Sequence, residues 1–105
     1  MSAEERRVWE RFNLEKSLDV ITAQHTQTRK MIDMSAGGAS VHGSLEELGD
    51  EVVEIGTDDF GNFTASVVRE WEDGFAVEFA IKDDAKYSLQ EDLEAFRREN
   101  DLMPE

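Results

Sequence analysis

The chain has 105 residues, enough for one domain with a modest core, and its 39% hydrophobic content, with two Trp and six Phe, belongs to a folded protein rather than a disordered one. It contains no cysteine, which excludes a disulfide framework and thiol chemistry and suits a reducing cytoplasm; no apolar run approaches the roughly 20 residues of a membrane span, and no apolar stretch of a secretory signal follows Met1–Glu5. The net charge of −14 is unevenly spread: residues 1–40 hold six Lys/Arg and six Asp/Glu, whereas residues 41–105 hold five and nineteen, so binding of DNA, RNA or an anionic membrane through the bulk of the chain is excluded.

Residues 2–11 form a charged lead-in. Ser2 and Glu5 have capping-box spacing, which predicts a short helical turn. Within the lead-in Arg7 and Arg11 stand four apart, with Arg6 just before them, and Trp9 lies between. Phe12 and Leu14 begin the apolar pattern. Residues 17–24 place Leu18, Val20 and Thr22 on one face and read as a strand. His25–Thr28 is polar and predicts a hairpin turn; residues 29–34, with Met31 and Ile32 apolar, predict a second strand. A short polar turn follows, Asp33-Met34-Ser35-Ala36-Gly37-Gly38, and then a brief third strand over 39–42. Residues 43–50 connect, with one helical turn capped by Ser44.

Residues 51–57 alternate, with Val53 and Ile55 expected inward. Asp58–Gly61 is a turn. Residues 62–71 put Phe63, Ala65, Val67 and Trp71 on one face, interrupted by Arg69. Glu72-Asp73-Gly74 is a tight turn, and Phe75, Val77, Phe79 and Ile81 alternate through the last strand. Six strands with short connections predict antiparallel neighbours and an all-β, six-stranded antiparallel barrel, which leaves no open sheet edge. The period then changes. Ser88 and Glu91 have capping-box spacing, and Leu89, Leu93 and Phe96 follow at i, i+4, i+7, so an amphipathic C-terminal α-helix is expected over 88–99, packed on the barrel.

Two stretches carry chemistry. Guanidinium groups suit phosphate oxygens and the N7/O6 edge or flat face of guanine. The Asp33–Gly38 turn offers a carboxylate for the donor edge of guanine, a hydroxyl, and at Gly37 and Gly38 a backbone that a ligand can approach closely. Together they suit an anionic guanine nucleotide, bound where arginines override the acidic background. His25 and His42 have no second ligand at metal spacing, and neither they nor Ser35 or Ser44 make a nucleophile–base pair. Catalytic and metal-ligating residues are therefore not expected.

Arg7-x-x-x-Arg11 followed by Asp33-x-Ser35-x-x-Gly38 resembles the PilZ domain signature, RxxxR then D/N-x-S-x-x-G. The likeness continues through Gly49-Asp50-Glu51-Val52, Val67-Val68-Arg69 and Gly74–Phe79, and covers roughly residues 4 to 82. The resemblance implies a single domain: a flexible arginine-rich segment 1–12, a barrel over about 13–82 and the helix after it. It implies a bacterial receptor for cyclic di-GMP and no catalysis. Arg7 and Arg11 would contact guanine and phosphate, Asp33 and Ser35 polar edges of guanine or the phosphate, and Gly38 would admit the ligand to the backbone. Arg6 offers a cation for the second set of phosphates of a stacked ligand pair. Output would then pass through a protein partner. The runner-up is a PilZ-like interaction module that binds no ligand.

Overall fold

The computed structural model describes residues 9–99. Six strands, β1 (Ser17–Thr22), β2 (Thr26–Ser35), β3 (Gly38–His42), β4 (Val52–Thr57), β5 (Gly61–Trp71) and β6 (Gly74–Phe79), are followed by one helix, α1 (Asp83–Glu99). The strands close into a barrel in the order β1-β2-β3-β6-β5-β4, every pair antiparallel. The six-stranded antiparallel barrel with a C-terminal helix expected from the sequence is what forms. Its interior is filled by Phe12, Val20, Met34, Val41, Ile55, Phe75 and Phe79, all essentially without solvent exposure.

Closure depends on β3 lying against β6, two strands far apart in the chain. Gly38 opposes Glu78 at one end of this ladder and Gly74 opposes His42 at the other. A Cβ on Gly38 would fall 2.0 Å from the Val77 carbonyl oxygen, and one on Gly74 would fall 2.5 Å from the Val41 oxygen. Both positions therefore require glycine because backbone approaches too closely for any side chain.

Strict alternation fails at three places, and each is a β-bulge. Register shifts fall between Met31 and Asp33 on β2, opposite Ile21–Thr22 on β4, and between Val67 and Arg69 on β5. An extra residue reverses which face the following side chains occupy. On β4 the extra residue is Val53, which is 41% exposed, while Val52 and Ile55 are buried. The expectation that Val53 points inward is thus corrected. On β5 the extra residue is Val68, and Arg69 opposes Ala76 on the outer face. The arginine that broke the sequence pattern needs no inward place, and Trp71, two residues on, leaves the face of Phe63, Ala65 and Val67 and is 39% exposed.

The polar hairpin after β1 is tighter than the sequence suggested: β2 begins at Thr26, and Thr22 Oγ1 donates to the His25 carbonyl while accepting from the Gln24 and His25 amides. In the β3–β4 connector, Ser44 Oγ accepts from the Glu46 amide over a single 3-10 turn, Glu46–Leu48.

Helix α1 starts at Asp83, not near Ser88. Asp83 and Asp84 complement the positive end of the helix dipole, and Asp84 Oδ1 accepts from the Ala85 amide. Ser88 lies inside the helix. The apolar stripe is as expected: Leu89 and Leu93 are buried, and Phe96 packs edge-on against Phe60, ring centres 5.5 Å apart. Among the described residues no helix is long and apolar enough to cross a membrane.

Gly38→Ala is expected to destabilise the fold by roughly 1–3 kcal/mol or more, since backbone must move to admit the methyl group. Gly37→Ala, whose Cβ would only touch Trp9 Cδ1 at 3.4 Å, is expected to cost well under about 1 kcal/mol. Urea unfolding of the two variants measures the contrast.

Candidate ligand-binding groove

The Ile32 bulge shapes the site. Before it, Arg29 and Met31 point inward; after it, Met34 does, so Asp33 and Ser35 take the other side of β2. The segment predicted as one continuous turn is therefore mostly strand: Asp33, Met34 and Ser35 end β2, and the reversal is confined to Ala36 and Gly37. Ser35 braces that reversal. Its Oγ accepts from the Gly37 amide at 3.1 Å and donates to the Gly38 carbonyl at 3.5 Å. The Gly37 carbonyl accepts from the Phe79 amide at 2.9 Å, which pins the turn to β6.

The lead-in reaches the same place by a different route. Phe12 is buried, and its amide and carbonyl exchange bonds with those of Met34 at 2.8 and 3.0 Å. This single antiparallel bridge sets Arg11 across from Ser35 and beside Asp33. Arg11 Nη1 donates to Asp33 Oδ1 at 3.1 Å, with the arginine side chain 64% exposed and the aspartate 24%. Both groups remain open to solvent, so the pair stabilises the fold by less than about 1 kcal/mol and is readily exchanged for another partner.

A groove of about 540 Å³ opens next to this pair. One wall is the lead-in and turn, with Trp9, Arg11, Ser35 and Gly37. The floor is the β3–β6 seam, Gly38, Ala39, Ala76 and Val77. The far wall is Val68, Arg69 and Glu78. Of the site residues expected from the sequence, Arg11, Ser35, Gly37 and Gly38 line this groove, and Asp33 stands beside it through its bond to Arg11. Arg6 and Arg7 lie outside the described residues, as does the Ser2–Glu5 turn. Gly38 has a structural duty besides any toward a ligand, because its missing Cβ makes room for the Val77 carbonyl. Val68, Arg69 and Glu78 were missed as site residues. The signal for them in the sequence is Arg69 itself, a charge standing in an otherwise regular apolar alternation.

Helix α1 grips the lead-in. Trp9 meets Tyr87 edge-on with ring centres 5.1 Å apart, Arg97 Nη1 donates to Glu10 Oε2 at 2.9 Å, and the Arg97 guanidinium lies 4.7 Å above the Phe12 ring. His25 and His42 join no cluster: among the described residues no three His, Cys, Asp or Glu side chains are grouped to hold a metal ion.

The described residues thus form a closed six-stranded barrel with an arginine-bearing lead-in bridged to a serine-braced turn beside an open groove. The PilZ domain family model matches residues 5–97. The crystal structure of an uncharacterized Legionella protein is similar in fold, with a TM-score of 0.63, covering 89% of this chain and 99% of that one at 17% identity. No curated protein matches. The chain belongs to the PilZ domain family, whose members are in general cyclic di-GMP-binding or adaptor modules and not enzymes.

Phe12→Ala is expected to cost about 3–5 kcal/mol, the range for truncating a fully buried Phe, and to free Arg11 from Asp33. Chemical denaturation reads the first effect; a change in Trp9 fluorescence under native conditions reads the second.

Proposed function

We propose that this domain is a cytoplasmic receptor for cyclic di-GMP in bacterial second-messenger signalling. The ligand is held between the Arg7-x-x-x-Arg11 segment and the Asp33-x-Ser35-x-x-Gly38 stretch. The single observation that carries this reading is the Arg11–Asp33 pair at the rim of the groove. It joins the two halves of the signature through an exposed ion pair whose arginine lines the open groove.

The roles follow from the chemistry of the ligand, a dianion with two guanine bases. Arg11 exchanges Asp33 for a phosphate or for the O6/N7 edge of guanine, where a bidentate arginine contributes about 1–3 kcal/mol of discrimination. Asp33, released, accepts from guanine donors. Ser35, already bonded within the turn, offers its hydroxyl at the groove wall. Gly37 and Gly38 leave the backbone accessible there. Arg7 adds a second guanidinium, and Arg6 a cation for the outer phosphates of a stacked ligand pair. Trp9, lying over Gly37, supplies an aromatic face for a base, a contact worth roughly 1–3 kcal/mol.

Binding orders the arginine lead-in and alters the surface it shares with α1, and a protein partner reads that change. The contacts of Trp9 with Tyr87 and of Glu10 with Arg97 support this coupling.

Calorimetric titration with cyclic di-GMP, with GTP and cyclic GMP as controls, is expected to give saturable binding of the dinucleotide alone, near two molecules per chain. Arg7→Ala and Arg11→Ala are each expected to weaken it at least tenfold with unfolding midpoints unchanged. Equal binding by parent and both variants would remove the site assignment.

A further inference from the structure

The far wall of the groove is unaccounted for by the signature residues. Arg69 and Glu78 both line it, and both are exposed. The β5–β6 register explains why they stand together. Arg69 opposes Ala76 and Ser66 opposes Glu78, so on the outer face Arg69 and Glu78 are diagonal neighbours, about 7–8 Å apart by ordinary sheet geometry. The Val68 bulge is what turns Arg69 outward. On its other side Glu78 faces Gly38, so no β3 side chain covers it. Neither charge enters an ion pair among the described residues, although they are close enough for long side chains to meet.

A carboxylate is a poor choice for a wall that faces phosphates. It is a good one for guanine, whose Watson–Crick edge presents two donors, N1–H and the N2 amino group. Guanine's adjoining O6 and N7 are acceptors, which a guanidinium matches. Adenine reverses the pattern, with an unprotonated N1 that a carboxylate repels.

We infer that Arg69 and Glu78 form a base-reading pair, the Glu78 carboxylate accepting from guanine N1–H and N2 and Arg69 donating to O6 and N7, which selects guanine over adenine in a cyclic dinucleotide. This rests on the receptor reading above. It assigns one guanine of the ligand to the β5–β6 wall, opposite the lead-in and turn.

The test is calorimetric titration of parent, Glu78→Gln and Arg69→Ala with cyclic di-GMP and cyclic di-AMP. Both substitutions are at exposed positions, and circular dichroism checks that each variant is folded. The parent is expected to prefer the guanine dinucleotide. Glu78→Gln is expected to lose about tenfold or more in affinity for cyclic di-GMP and nothing for cyclic di-AMP, so the preference narrows. Arg69→Ala is expected to weaken cyclic di-GMP more than cyclic di-AMP. A Glu78 that merely repels phosphate gives the opposite sign: Glu78→Gln tightens both dinucleotides alike. That result, or unchanged binding by both variants of a parent that binds cyclic di-GMP, overturns the base-reading pair and leaves the receptor standing. A parent that binds neither dinucleotide overturns the receptor reading and the pair with it.

Discussion

The close approach of Gly38 to the Val77 carbonyl is the constraint on which the rest of the structure depends. Strands joined by hairpins find each other through short loops, but β3 and β6, like β1 and β4, pair across two intervening strands of the sequence. Their ladder is tight enough at both ends to exclude a Cβ, and at the Gly38 end it continues into the turn through the Gly37–Phe79 bond. The groove floor and the barrel's closing seam are therefore one object. A glycine suited to admitting a ligand is also the residue that lets the barrel shut.

The bulges do the complementary work of aiming side chains. A regular β2 with Met31 inside would send Asp33 inside as well; the extra residue at Ile32 keeps Asp33 and Ser35 on the groove side and returns Met34 to the core. A regular β5 would bury Arg69 beneath Val67; the extra residue at Val68 avoids the cost of an unpaired buried guanidinium and places the charge on the groove wall. Irregularities on two strands that are not neighbours thus converge on one surface. Bulges at ligand sites commonly have this role.

The barrel was legible because its signal is cumulative. Alternation in β1 and β6, the short turns and the change of period before Leu89 all agree, and no single residue decides the outcome. What misled was local. Counting in twos across a bulge puts Val53 and Trp71 on the wrong face, and nothing in a valine marks it as the residue that will be skipped. The capping-box spacing of Ser88 and Glu91 is conspicuous and points to a later helix start, whereas the helix begins at two aspartates whose dipole interaction leaves a weaker pattern. Of the site, the Arg11–Asp33 meeting was legible through motif spacing. The Arg69–Glu78 wall was not, since it depends on which strand neighbours which, a property of closure and not of any segment.

The clasp between α1 and the lead-in sets a scale for communication. One edge-on aromatic pair, one exposed ion pair and one cation–π contact together amount to roughly 1–3 kcal/mol. A ligand that rearranges Trp9 and Glu10 can shift the poise of the helix by no more than that differential energy, about five- to 150-fold in an equilibrium constant. Under the proposed receptor function the domain is a rheostat of modest gain, and linkage makes it reciprocal: whatever seizes the helix would change the hold on the ligand by the same factor.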